Sequence, residues 1–193
     1  LIGVFGLGMS ILVLTGFLSW FFTKDNKQEL SLSDGFVITV LFWIVLSVSG
    51  SIPFILFGFG VVDSFFESMS GITTTGATVI AGLDDLPKSL LIYRQLLQWL
   101  GGMGLIVLAI AVMPLLGIGG GQLFKTQTPG PMSEQRLTPR ITSTARALWS
   151  IYFVLTVLCI FAYRLAGMSY FDAVSHAFST VSIGGFSTHD LSI

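Results

Sequence analysis

Charged residues are scarce in this sequence. Asp, Glu, Lys and Arg make up 10% of its 193 residues, whereas a soluble globular domain carries about 25%. Hydrophobic residues make up 53%, and the mean hydropathy is +0.87. Because so few charges cannot cover the surface of a water-soluble domain of this size, the composition excludes that class and predicts a membrane protein.

An excess of basic charge is lacking as well. Nine Lys and Arg residues stand against ten Asp and Glu residues, which gives a net charge of −1, and the basic residues are spread along the chain. A nucleic-acid-binding protein needs a clustered basic patch to face the phosphates. The sequence therefore excludes nucleic acid as a partner.

Cysteine and histidine are too rare to build the usual metal or nucleophile sites. Cys159 is the single cysteine, which excludes an intramolecular disulfide and a cysteine-based metal cage. Its apolar surroundings predict a small hydrophobic residue that faces lipid or core. Neither a Gly-x-Ser-x-Gly elbow nor a His-Glu-x-x-His motif accompanies His176 and His189. We therefore expect neither enzymatic activity nor a cofactor.

Long apolar runs, in contrast, are abundant. About 20 such residues are enough to cross the hydrocarbon core as a helix. Ser33 and Asp34 are expected to cap the second of these runs, and Pro53 is expected to kink it. The predicted fold class is an all-α membrane protein, with spanning helices at 1–22, 36–58, 89–117 and 144–166.

The basic residues indicate which side of the membrane each connection occupies, since Lys and Arg accumulate on cytoplasmic loops. Most of them lie in or near the polar linker that ends at residue 32 and the Gly- and Pro-rich segment 118–140, which is predicted to be a loop. Both connections are therefore predicted to be cytoplasmic. The sequence starts without Met and stops soon after Gly185, so we expect it to be a segment of a longer protein.

Two segments rich in glycine and hydroxyl residues, 70–78 and 179–187, each follow a short apolar helix that cannot cross the membrane. Non-helical backbone at membrane depth survives only where protein or a water-filled cavity surrounds it. Backbone carbonyls there can replace the water shell of a cation, and glycine permits the required positive φ. A tight helix–helix contact through small residues is the alternative. The predicted re-entrant pore helices are 63–72 and 172–181, and the predicted selectivity-filter segments are 73–80 and 182–187.

The order of a spanning helix, a short helix and a Gly-rich loop occurs twice. Aligning Asp63 with Asp172 without gaps places Gly76 on Gly185, and weak internal repeats of this kind are common in transport proteins. Asp63 and Asp172 are expected to cap their short helices. The same alignment pairs Ser70 with Ser179, Ile72 with Val181, Thr73 with Ser182, and Gly58 with Gly167.

Ionisable residues near the loops leave two roles open. Glu67 either concentrates cations at the mouth or pairs with a donor behind the filter, and the second role is favoured. Arg94 either pairs with Glu67 or with an acidic residue of the 84–85 loop, or anchors its helix at the membrane surface. A glycine cluster in the same helix is predicted to serve packing rather than a gating bend: Gly101, Gly102 and Gly104.

Three stretches of the chain, 65–120, 129–149 and 171–190, resemble the Trk/Ktr/HKT superfamily of potassium transporters, and within it the bacterial TrkH type. The resemblance implies potassium-channel-like repeats of outer helix, re-entrant pore loop and inner helix. Four such repeats surround one permeation path in a single chain, after two extra helices. On this map residues 1–32 are an extra helix and a cytosolic linker, 33–117 the first repeat, 118–140 a cytosolic loop, and 141–193 a second repeat without its inner helix.

The resemblance also implies a site and a function. Potassium uptake across the bacterial cytoplasmic (inner) membrane is implied, with carbonyls at and just before each filter glycine binding K+. Ala77 and Phe186 stand where potassium channels carry a further tyrosine, which implies weaker discrimination between K+ and Na+. By position the K+ ligands are Thr74, Thr75, Gly76, Ile183, Gly184 and Gly185.

Partners follow from the same resemblance. Family members couple to a cytosolic nucleotide-binding ring, TrkA, and form homodimers within membrane lipid. The competing hypothesis is a secondary transporter of another small solute with re-entrant loops, which predicts inverted repeats. Both short helices here follow spans predicted to run in the same outward direction, which favours the channel-like arrangement.

Overall fold

All regular structure in the described part of the chain is helical. The computed structural model describes residues 2–24, 32–112 and 137–191. A single 3-10 turn, Leu83–Asp85, lies in the connection after the third helix. The all-α prediction is therefore confirmed for these residues, whose helices are α1 (Ile2–Thr23), α2 (Leu32–Phe57), α3 (Val61–Ile72), α4 (Lys88–Val112), α5 (Leu137–Leu165) and α6 (Tyr170–Val181).

Three of the described helices are long and apolar enough to cross a membrane, namely Gly3–Thr23, Phe36–Phe57 and Ser143–Leu165. Most of their side chains are exposed, which provides an apolar surface for lipid. Helix α4, predicted as a further span, differs from them because Arg94, Gln95 and Gln98 are buried in its first half. The predicted end of α4 at 117 lies outside the described residues.

Two helices begin earlier than the sequence predicts. Helix α2 starts at Leu32, so Asp34 lies in the first turn, where a carboxylate favours the positive end of the helix dipole, rather than at the cap. Helix α5 starts at Leu137 instead of 144, so the last residues of the predicted loop 118–140 are helical. Pro139 is compatible with this start because a first-turn residue has no intrahelical N–H bond to lose. The rest of that loop lies outside the described residues.

The capping prediction for Asp63 and Asp172 is wrong. Helix α3 begins after Gly60, which makes no side-chain capping bond, and α6 begins after Ser169. Two apolar residues join each helix ahead of the aspartate, which therefore lies in the first turn. Ser169 Oγ accepts a hydrogen bond from the Asp172 N–H at 3.1 Å and donates to Asp172 Oδ2 at 2.6 Å.

Helix α4 packs against both short helices and so positions the two loops that follow them. The apolar core beside α3 contains Phe54, Ile72, Leu90 and Leu97, all buried. Gly101 lies against the end of α3, where an added Cβ would overlap the carbonyl of Ile72. The predicted packing role of this glycine is thereby confirmed, because no larger residue allows so close an approach.

Candidate ion-binding site

The loops after α3 and α6 have the same backbone conformation. Thr74 and Ile183, which are equivalent when Asp63 is aligned with Asp172, have φ of 56° and 58°. Gly76 and Gly185, the next equivalent pair, have φ of 77° and 82°. The correspondence extends through both turns, so the weak repeat in the sequence is a close repeat in the structure.

Each short helix ends in a Schellman-type turn. The Thr75 N–H donates to the carbonyl of Ser70 at 2.9 Å, and the Gly184 N–H donates to the carbonyl of Ser179 at 2.8 Å. The residue before each donor, Thr74 or Ile183, takes the left-handed conformation that glycine usually supplies in this motif. The N–H groups at the start of each loop are therefore bound to the helix behind them.

Thr74 and Ile183 are strained by this arrangement. They are the only non-glycine residues with positive φ in the described ranges, and both are β-branched, for which positive φ is an outlier. Such conformations cost about 1–3 kcal/mol and persist only where the surroundings impose them, as they do at binding sites. Ile183 is 89% exposed, so packing of its own side chain does not compensate for the strain.

No protein donor within the described ranges binds the carbonyl groups of the predicted filter residues. Among the hydrogen bonds between described residues, none ends on the carbonyl oxygen of Thr74, Thr75, Gly76, Ile183, Gly184 or Gly185. Carbonyl oxygens deep in a membrane protein need a partner. A cation is a suitable one, because the negative ends of α3 and α6 lie at the same place.

The two loops touch at their glycines. A Cβ at position 76 would overlap the carbonyl oxygen of Gly184. Glycine is required at 76 on two grounds, its positive φ and this contact. Gly185 has the same φ but faces open space, with nothing within 4 Å of an added Cβ. The structure thus brings the two sets of predicted K+ ligands together.

Two glutamines of α4 hold the second loop. Gln95 Nε2 donates to the carbonyl of Phe186 at 3.1 Å, and the Phe186 N–H donates to Gln98 Oε1 at 3.3 Å. Both glutamines are fully buried. The sequence interpretation gave them no such role, although polar residues three positions apart in an apolar helix are the signal that points to it.

A buried ion pair lies behind the loops. Arg94 Nη2 is 2.6 Å from Glu67 Oε1, and both side chains are 0% exposed. Arg94 Nη1 donates to the carbonyl of Ser187 at 3.2 Å, and the guanidinium stacks on Phe186 at 4.4 Å from the ring centre. Of the two roles left open for Glu67, the favoured one, pairing with a donor behind the predicted filter segment, is confirmed as far as the pairing with Arg94 is concerned. Of the roles left open for Arg94, pairing with Glu67 is confirmed and surface anchoring is wrong.

The two loops also contact each other beyond the predicted filter segments, after residues 80 and 187. His189 Nδ1 and Asp84 Oδ1 are 2.5 Å apart, and the Gly82 N–H donates to Asp190 Oδ1 at 3.1 Å. The hydrogen bond with Asp84 raises the pKa of His189, and the same bond lowers the pKa of Asp84. His189 therefore has a structural partner in the first loop, a relationship that spacing in the sequence does not reveal.

A family model described as "TrkH: Cation transport protein" matches residues 3–193. The chain belongs to the TrkH family of cation transport proteins. A curated relative from Vibrio parahaemolyticus, the Trk system potassium uptake protein TrkH, is 56% identical over 186 residues, which are 95% of this chain and 38% of that protein. The Trk system potassium uptake protein TrkG of Escherichia coli is 48% identical over 193 residues, or 98% of this chain and 40% of that protein.

A solved TrkH structure has the same fold. The crystal structure of the potassium transporter TrkH from Vibrio parahaemolyticus matches with a TM-score of 0.82 at 53% identity, covering 97% of this chain and 37% of that chain. This chain thus spans about two-fifths of the length of the TrkH relatives it matches. Three helices among the described residues are able to cross a bilayer, and as a member of this family the chain is an integral protein of a bacterial inner membrane.

Proposed function

We propose that this chain contributes two pore loops to a potassium uptake protein, and that backbone carbonyls of these loops bind K+ during permeation. The proposed ligands are Thr74, Thr75, Gly76, Ile183, Gly184 and Gly185. The observation that carries the proposal is the pair of matched, strained turns whose carbonyls accept no hydrogen bond from described residues. Support also comes from relatives that are named as potassium uptake proteins.

The mechanism follows from the geometry. A K+ ion that enters loses water, and carbonyls of the two loops, which touch where Gly76 meets the carbonyl oxygen of Gly184, replace part of its hydration shell. The hydrogen bonds from Gln95 and Gln98 of α4 fix the conformation of the second loop at Phe186. The loop backbone therefore needs little reorganisation when the ion binds. The membrane potential supplies about 2.3 kcal/mol per charge per 100 mV for inward movement. No covalent chemistry is assigned to the chain.

Within this proposal α2, α3 and α4 form one pore repeat, and α5 and α6 begin a second. Further repeats in the full-length protein complete the ring of carbonyls. A cytosolic nucleotide-binding ring and a second copy of the protein are proposed partners. A secondary transporter is disfavoured because both short helices follow spans that are predicted to run in the same outward direction, whereas inverted repeats require opposite directions.

The proposal is tested by Rb+ uptake in bacteria that lack their own potassium uptake, using a full-length protein that carries this sequence. We expect K+ to compete with Rb+, and Gly76→Ser and Gly185→Ser to reduce uptake or alter the K+ to Na+ preference. Gly82→Ser is the matched control, because Gly82 has a similar φ of 75° but lies beyond the filter segments. Equal effects of all three substitutions would argue against a role in ion binding.

A further inference from the structure

Packing alone does not explain why the charged residues Glu67 and Arg94 are buried together. Both side chains carry ionisable groups and are fully buried. A buried ion pair seldom makes a protein more stable than apolar residues of the same volume would. Such a pair is retained where a defined geometry matters. The contacts of Arg94 indicate which geometry that is.

Arg94 contacts both filter loops at once. On the first loop, its Nη2 donates to Thr78 Oγ1 at 3.0 Å, and Thr78 Oγ1 donates to Glu67 Oε1 at 2.9 Å. On the second loop, its Nη1 donates to the carbonyl of Ser187 at 3.2 Å. One guanidinium is therefore connected to the residue two positions after each candidate filter glycine, Thr78 after Gly76 and Ser187 after Gly185.

Glu67 fixes the orientation of the guanidinium. Its Oε1 accepts from Arg94 Nε at 2.7 Å, and its Oε2 accepts from the Val79 N–H at 3.3 Å. The carboxylate thus binds the first loop through Thr78 and Val79 and binds the arginine that holds the second loop. Because the fork of an arginine is planar and rigid, the distance between the loops follows from this pair.

We propose that Arg94 is a positioning residue for ion selectivity, with Glu67 as its buried counter-ion, and that together they set the spacing between the two carbonyl sets. This inference rests on the proposed function. Thr78 and Ser187 each lie two residues after a candidate filter glycine, and Gly76 contacts Gly184, so a shift of either loop changes the cavity that the carbonyls form. The smaller Na+ ion requires closer oxygens than K+, so such a shift alters the preference between the two ions.

The type of side chain is part of the inference. Lysine keeps the positive charge but carries it as a single flexible ammonium, which cannot hold Glu67 and the carbonyl of Ser187 in the same fixed geometry. Arg94→Lys therefore keeps the positive charge but removes the fixed arrangement of hydrogen bonds, so that any change in selectivity is due to geometry. Thr78→Val provides a milder change, because it removes the hydroxyl between Glu67 and the first loop while both charges remain.

The experiment measures the KM for Rb+, the inhibition constant for Na+ and the maximal uptake rate in the full-length protein. We expect Arg94→Lys to change the ratio of the two constants about tenfold, which is close to the effect of losing one charged hydrogen bond, and to change maximal uptake less. Arg164→Lys is the matched control, because Arg164 donates to the carbonyl of Met168 at an exposed site. Membrane abundance of each variant is measured in parallel.

Each outcome is informative. A changed ratio in Arg94→Lys or Thr78→Val, with Arg164→Lys unchanged, supports the positioning role. Wild-type ratios in both test variants overturn it while leaving the proposed function intact. If Arg94→Lys does not accumulate in the membrane, Thr78→Val alone decides between these results. Absence of Rb+ uptake by the inserted wild-type protein overturns the proposed function, and this inference with it.

Discussion

Gly76 and Gly184 lie in contact, so close that a side chain at position 76 would occupy the place of the Gly184 carbonyl oxygen. The two residues belong to loops that are far apart in the sequence and alike in backbone conformation. This contact joins the two candidate filter segments into one site. Its consequences for substitution differ from those at Gly185, where space is open.

Alanine at these two glycines is expected to have unequal effects. Gly76→Ala adds both strain at positive φ and an overlap with the Gly184 carbonyl, whereas Gly185→Ala adds the strain alone. Gly76→Ala should therefore lower the thermal unfolding temperature of the detergent-solubilised full-length protein more than Gly185→Ala. The measurement is a thermal melt of each variant. An equal loss at both positions would contradict the contact between the loops.

The strain at Ile183 predicts an unusual response to glycine. Ile183→Gly relieves a strained conformation of about 1–3 kcal/mol at the cost of about 0.5–1 kcal/mol of chain entropy. Thermal stability should therefore be unchanged or raised. Gly184→Ala serves as the contrast, because its Cβ would overlap the end of the Gln98 side chain. Gln98 is fully buried and accepts a hydrogen bond from the Phe186 N–H, so it cannot move away without losing that bond, and the substitution should lower stability. A marked loss in Ile183→Gly would show that the isoleucine side chain stabilises the loop.

The N-cap of α6 gives a prediction with a defined size. Ser169→Ala removes the side-chain acceptor for the Asp172 N–H, which costs about 1 kcal/mol. Ser10→Ala is the control, since Ser10 Oγ donates only to the carbonyl of Gly6 in its own helix at an exposed site. A thermal melt should separate the two variants. Identical melts would mean that the cap contributes nothing to the stability of α6.

His189 predicts a pH dependence outside the spanning helices. Its hydrogen bond with Asp84 raises the pKa of His189 and lowers that of Asp84. A raised histidine pKa stabilises the fold fully below the unfolded value of about 6.5, and this contribution is lost as the pH rises through the folded value. The Asp84 contribution is present above its unfolded value of about 3.9 and is lost as the pH falls.

The contact is therefore strongest between these two limits. The melting temperature of the wild type relative to His189→Gln should be highest near pH 6 and should decrease towards about pH 9. Melts across this range provide the measurement. Because both side chains are about half exposed, salt should reduce the difference. A difference that stays constant with pH would exclude a charged His189–Asp84 contact.

Part of this architecture was predictable because it depends on local pattern. Apolar runs of membrane-spanning length predicted the long helices, and the gapless alignment of Asp63 with Asp172 predicted the pairs that share backbone angles. The caps were predicted wrongly, because apolar residues ahead of each aspartate extend the helix and no local signal excludes that. The early start of α5 was missed because the Gly- and Pro-rich composition of 118–140 was interpreted as a loop, although Pro139 fits a first turn.

The support behind the loops was predictable only in part. Pairing was the favoured role for Glu67 and one of the roles left open for Arg94, since isolated charges are costly at membrane depth. Which of the possible partners Arg94 takes depends on the packing of α4 between α3 and α6, which is a tertiary property. The contact between Gly76 and Gly184 depends on the same packing. Neither is encoded in a spacing that can be read along the chain.

The central claim is that the carbonyls of the two loops bind the transported ion. The most direct measurement is anomalous diffraction from crystals of the full-length protein grown with Rb+ or Tl+. We expect an anomalous peak within coordination distance of carbonyl oxygens in both 74–76 and 183–185, displaced by excess K+. Occupied peaks elsewhere along the pathway, with none beside either loop, would contradict it.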